Sequence, residues 1–186
     1  MLSDEPSLNI KLSVFSELYS GFHIKAKKPN VYKSYLDWVN DAVIFTKKRE
    51  FMKDIYVYME DAKNICSNLT KIYDKKMLLH MDIYDHNIVS DKKEYRLIDP
   101  KGIIGDPIFE IGQFIFSECC KNGVQPQKIE IIFNNLEELL NIAQTVLRQC
   151  FYVETLRFVC GEMTNYGIDC DDIEKINFAK SVLNAD

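Results

Sequence analysis

The chain has 186 residues, 47 % hydrophobic and 27 % charged, which fits one domain able to bury a sizeable core. Its net charge of −5, with no stripe of Lys or Arg, argues against nucleic acid as a partner; an acidic surface suits a cationic small molecule. Lys25-Ala26-Lys27-Lys28 and Lys47-Lys48-Arg49 are read as solvated helix ends.

In chain order, Met1 to Pro6 carries neither the basic nor the apolar region of a secretory signal. From Leu8 to about Phe22, the residues Leu8, Leu12, Phe15, Leu18 and Phe22 recur at helical spacing, with Gly21 as a stop. Lys25 to Asn30 reads as a loop. A second helix is expected from Tyr32 to about Phe45, with Tyr35, Trp38, Val39 and Ala42 on one face. A third carries Phe51, Ile55, Met59, Ala62, Cys66, Leu69 and Ile72 on one stripe. Then the pattern changes. Met77-Leu78-Leu79 is a short apolar run, and Asn87-Ile88-Val89 and Tyr95-Arg96-Leu97-Ile98 read as strands of a hairpin around the polar turn Ser90 to Glu94. That hairpin fixes Asn87 and Asp99 at the same edge.

Ile108 to Phe116 is apolar around almost the whole helical circumference and predicts a helix in the middle of the domain. Glu110 and Gln113 interrupt it, so it is no membrane span. Pro126 opens a further helix with Ile129, Ile132, Phe133, Leu136 and Leu140 inward, and Ile142, Val146, Val153 and Leu156 mark the next. Asp171 and Glu174 suggest the start of the last helix. The six cysteines have no metal-ligand spacing and read as reduced thiols of a cytoplasmic chain, Cys119-Cys120 serving packing. The expected fold is mainly α with a small β-hairpin, one domain over 1–186: helices across 8–72, loop and hairpin across 77–107, helices across 108–186.

Chemistry concentrates in the middle block. His80-Met81-Asp82-Ile83-Tyr84-Asp85-His86-Asn87, followed by Asp99-Pro100-Lys101-Gly102, has the order and approximate spacing of kinase-like phosphotransferases. Such enzymes need a carboxylate to take the proton of the attacking hydroxyl, and Asp82 is the candidate. Mg²⁺ takes hard oxygen ligands, and Asn87 and Asp99 supply an amide oxygen and a carboxylate. His80 reads as a buried histidine bracing the loop rather than as an acid or base.

Leu78-Leu79-His80-x-Asp82 through Asn87-Ile88, then Ile98-Asp99-Pro100-Lys101-Gly102 and Gly105-Asp106-Pro107, resembles the aminoglycoside phosphotransferase superfamily. Within it the pattern is most similar to the streptomycin 6-kinase, or aminoglycoside/hydroxyurea antibiotic-resistance kinase, branch. The resemblance implies a protein-kinase-like C-terminal lobe, ATP and Mg²⁺, and phosphorylation of a small hydroxylated molecule, cationic ones included, with no nucleic acid or membrane involved. It makes Asp82 the catalytic base, Asn87 and Asp99 the metal ligands, Asp106 a brace for the catalytic loop, and Lys101 a contact to phosphate or acceptor. Glu154, Glu162, Asp169, Asp171 and Asp172 are candidate attractors of a cationic sugar, though most are read as solvated surface. Met81 stands where the family commonly has Gly, demanding a negative φ or strain, and Tyr84 where it commonly has His.

None of the seven glycines is spaced as a Gly-rich phosphate loop, and no strand with a phosphate-binding Lys precedes Leu8. The chain is therefore expected to lack the N-terminal lobe. Met1 is then an internal methionine of a longer ancestor, a mis-called start, or the start of a truncated gene. Two outcomes follow: a truncated enzyme, active or inactive on its own, or a non-catalytic small-molecule-binding module. An apolar face left by the missing lobe would favour self-association.

Overall fold

The computed structural model describes residues 1–2, 7–91, 94–161 and 168–185. Seven α-helices are present among them: α1 (Leu8–Gly21), α2 (Tyr35–Lys47), α3 (Lys53–Ile72), α4 (Ile108–Cys120), α5 (Ile129–Leu140), α6 (Gln144–Gly161) and α7 (Cys170–Leu183). Between α3 and α4 the chain runs through β2 (Met77–Leu79), the hairpin β3 (Ile88–Ser90) and β4 (Tyr95–Leu97), and β5 (Ile103–Gly105); β1 (Ile24–Lys25) follows α1.

The expected hairpin forms, with Ile88 opposite Leu97. Beside it stands a sheet that the sequence did not announce, with Lys25, read as loop, in one of its strands. Ile24-Lys25 and Ile103 to Gly105 flank β2 in a three-stranded antiparallel sheet of order β1-β2-β5, with Leu79 opposite Ile103. Strands of two and three residues are too short to show a two-residue alternation, so only their pairing reveals them.

Helix ends follow local chemistry, shifted from the expected boundaries. The second helix begins after Ser34, whose hydroxyl accepts the Asp37 N–H at 3.0 Å, while Pro29–Val31 forms a separate 3₁₀ turn. The last helix is capped two residues earlier than Asp171: Asp169 and Asp172 exchange side-chain-to-backbone hydrogen bonds in a capping box. Ile142 falls in the turn before α6, and the expected stripe of α3 ends at Leu69, because Ile72 is 72 % exposed. The Phe51 side chain lies outside the described part.

Helix α4 is buried on all sides, from Ile108 to Cys120 with Ser117 alone half-covered, and packs chiefly on α6. Five of the six cysteines are buried and Cys170 is exposed; burial pushes the Cys119 thiol up to about 12, consistent with a packing role. No helix of the described residues is long and apolar enough to cross a membrane.

The α4–α6 approach depends on Gly112. A β-carbon there would stand 2.4 Å from the Cys150 carbonyl oxygen and 3.2 Å from Glu154 Cβ. Glycine inside a helix ordinarily costs ~0.5–1 kcal/mol relative to alanine. Here the sign reverses, because backbone cannot yield as a flexible side chain does. Gly112→Ala is expected to destabilise by ~1–3 kcal/mol, read as a lower urea midpoint; a midpoint at or above wild type would refute this packing.

Candidate functional site

Strand β2 delivers the chain into the 80–87 loop, and α4 holds that loop from below. The backbone N–H groups of His80 and Met81 donate to Glu110 Oε1 and Oε2, the second at 3.0 Å; the Ile83 N–H donates to Gln113 Oε1 at 2.6 Å. Glu110 and Gln113 are three residues apart on α4, so both face the loop from one side of the helix. Met81 takes φ +52° rather than a negative value, in the left-handed region that disfavours a side chain. Two hydrogen bonds to one carboxylate and the burial of the Met81 side chain over-determine that conformation.

His80 joins the loop to the segment after the hairpin. Its Nδ1 accepts the Asp82 N–H at 3.2 Å, so Nε2 carries the proton and donates to the Ile98 carbonyl at 2.9 Å. The His80 carbonyl accepts the Lys101 N–H at 2.8 Å. Burial holds this imidazole below its ordinary value, outweighing the nearby Glu110 carboxylate and the Ile98 carbonyl. The neutral ring therefore contributes stability that is present above pH 6.5 and lost as pH falls through the folded-state value. An NMR titration of the His80 ring should show its midpoint below 6.5, with the Asp82 amide resonance moving in step; a midpoint above 6.5 would refute the assignment.

The polar side chains gather on this frame. Asn87 Nδ2 donates to the Asp82 carbonyl at 2.9 Å and to Asp82 Oδ2 at 3.1 Å, and Lys101 Nζ lies 3.3 Å from the same Oδ2. With both Nδ2 bonds directed at Asp82, the Asn87 Oδ1 is the acceptor left for a cation. The Ile98 N–H donates to the Asn87 carbonyl at 3.0 Å, which ties the hairpin's exit to its start and sets exposed Asp99, at φ +62°, beside the loop. Asp82 and Asp99 both act electrostatically on His80.

On the loop's flank, Lys11 of α1 reaches Asp85 Oδ2 at 3.2 Å and Glu118 Oε1 at 3.6 Å, and Lys121 sits 3.5 Å from the centre of the Tyr84 ring. Burial pushes the Asp85 carboxyl up, but hydrogen bonds from His86 and Lys11 outweigh it and hold it below its usual value.

The fold thus brings Asp82, Asn87 and Lys101 into contact, places Asp99 next to them, and uses His80 as a brace. Asp106 is a correction. Its Oδ1 accepts the Ile108 N–H at 3.0 Å and its Oδ2 the Lys75 N–H at 3.1 Å, so it caps α4 and anchors the approach to β2; the loop itself is braced by Glu110 and Gln113. Glu154 is a second correction: it is fully buried against Arg157 and Tyr35 and is no surface attractor. Glu162 lies outside the described residues. Asp169, Asp171 and Asp172 cluster at the start of α7, where Lys175 pairs with Asp171 and Asp172. The missed residues, Glu110 and Gln113, did leave a signal: two polar side chains three apart in an otherwise apolar helix.

No family model, curated protein or solved structure matches the chain.

Proposed function

We propose that residues 78–107 form the catalytic centre of an ATP- and Mg²⁺-dependent phosphotransferase acting on a hydroxyl of a small molecule, in a kinase-like C-terminal lobe of aminoglycoside-phosphotransferase type, closest to the streptomycin 6-kinase branch. The observation that carries this reading is the convergence of Asn87 Nδ2 and Lys101 Nζ on one oxygen of Asp82, at 3.1 and 3.3 Å, in a loop fixed by backbone hydrogen bonds to α4. Phosphoryl transfer asks a protein chiefly for positioning and charge neutralisation, and a rigid loop of this composition provides both.

The donor set fits Mg²⁺: an amide oxygen on Asn87 and an exposed carboxylate on Asp99 are hard ligands that leave room for water. When bound there, the ion neutralises phosphate charge. Asp82 orients the acceptor hydroxyl and takes its proton late in the transfer. Lys101, 3.3 Å from that carboxylate, stands ready to pair with phosphate oxygen. Asn87, held by two bonds to Asp82, couples the base to the metal ligand set.

A second reading, a binding module that retains the acceptor and metal groups without turnover, is favoured by the glycine spacing, which includes no phosphate-cradling loop. The test is phosphate transfer from Mg-ATP to a panel of hydroxylated amines, beside thermal melting with and without Mg-ATP. Transfer that requires Asp82 supports the enzyme. A Mg-ATP-dependent rise in melting temperature without transfer supports the module. Neither effect overturns both readings.

A further inference from the structure

Behind the carboxylate that clamps the loop stands a second buried group that the loop chemistry has not used. His23, just past α1, has a side chain only 8 % exposed, wedged between the Phe22 ring at 4.0 Å and the edge of Tyr19 at 5.2 Å between centroids. Its Nδ1 lies 3.0 Å from the Tyr19 carbonyl oxygen. A carbonyl only accepts, so Nδ1 carries a hydrogen and Nε2 holds either a lone pair or a second proton. That Nε2 is buried, has no hydrogen-bond partner among the described residues, and faces Glu110 Oε1 at 3.7 Å. Oε1 is also the acceptor of the His80 N–H.

We infer that His23 is a positioning residue of the 80–87 loop, acting through Glu110, and that the proton on its Nε2 sets how firmly the loop is held. Protonated, the ring stands 3.7 Å from Glu110 Oε1 as its charged partner and steadies that carboxylate toward the His80 and Met81 amides. Neutral, a lone pair faces an oxygen that already serves the loop, and the pair repels. The consequence for catalysis rests on the phosphotransfer reading; the brace does not.

The other titratable or charged groups around this pair are Tyr19 on α1, at the edge of the His23 ring, and His80 on the loop; Tyr19 in turn feels Asp106 just before α4, Tyr73 after α3 and Cys150 on α6, and His80 feels Asp82 and Asp99. Burial first, and the carboxylates second, push the Tyr19 phenol far up, and burial does the same to the Cys150 thiol. The two imidazoles act with opposite signs on different amides. Acid strengthens the His23–Glu110 pair, which holds the His80 and Met81 N–H groups, whereas acid breaks the bond from the Asp82 N–H to His80 Nδ1.

The experiment is amide hydrogen exchange on the full chain without nucleotide, expressed as protection factors. In wild type, the His80 and Met81 amides should be about two- to fivefold better protected at acid than at alkaline pH, the size of an ion pair at 3.7 Å, beyond hydrogen-bond reach. His23→Gln, which keeps an amide donor at every pH, and His23→Leu, which has none, should both abolish the pH dependence. An equal dependence in wild type and both variants overturns the inference. Should the variants not fold, the ¹⁵N signal of the wild-type His23 ring decides: it must titrate together with those two amides, and independent titration also overturns it. If protection responds as expected while no phosphate is transferred, the brace stands and the phosphotransfer reading falls.

Discussion

Asp82→Asn should lower the rate of phosphate transfer by about 10²–10⁴-fold, the usual contribution of a positioned general base. The substitution keeps the side chain's size and removes the charge that holds Lys101 at 3.3 Å and accepts from Asn87 at 3.1 Å. The loop's backbone does not depend on that charge. The His80, Met81 and Ile83 N–H groups bind Glu110 and Gln113, and Asn87 Nδ2 still reaches the Asp82 carbonyl at 2.9 Å. Asp82→Asn should therefore leave the melting temperature within a degree or two of wild type while the rate falls. A fall in rate with an unchanged KM for Mg-ATP places the loss in the transition state, as a base requires. Transfer by the variant at the wild-type rate removes Asp82 from the chemistry.

Much of the fold was legible because burial leaves a periodic trace. Met59, Ala62, Cys66 and Leu69 are buried at helical spacing on α3, and the apolar circumference from Ile108 to Phe116 announced the central helix. The hairpin was legible as well, since its polar turn separates two apolar runs. Short strands β1 and β5 were not, because two or three residues carry no period and their pairing is long-range. The site shows the same division. The order of Asp82, Asn87, Asp99 and Lys101 is local and readable, but what holds them is not: the carboxylate that fixes His80 and Met81 arrives from about thirty residues later. Nor does sequence reveal that Met81 sits at φ +52°, since the side chain alone gives no sign that tertiary bonds will force it there. Glu154 misled for a related reason. A carboxylate reads as surface until a buried partner is seen.

That partner supports the other large prediction: Arg157→Met should destabilise the protein by ~3–5 kcal/mol. Arg157 is 1 % exposed, and its Nε and Nη2 donate to Glu154 Oε2 and Oε1 at 2.9 and 2.7 Å. Its guanidinium also lies 3.9 Å from the centre of the Trp38 ring, and Met recovers part of that packing but none of the charge. Without it, Glu154 remains fully buried with the Tyr35 hydroxyl, at 2.7 Å, as its hydrogen-bond donor among the described residues. The cost is the uncompensated charge more than the lost contact, so a second substitution, Glu154→Gln, should return a large part of the stability. Urea unfolding of both single variants and the double variant measures this. A single Arg157→Met variant within ~0.5 kcal/mol of wild type, or a double variant no better than that single one, would show that the pair is not the strut described. The effect should also reach the site. Tyr35 stacks on Phe109 with ring centres 4.3 Å apart, and Phe109 adjoins Glu110 in the first turn of α4. Loosening the buried pair thus frees the helix end that clamps the 80–87 loop. The His80 and Met81 amides should lose protection in Arg157→Met beyond the global change, and an even loss across the chain would place the strut and the clamp in separate units.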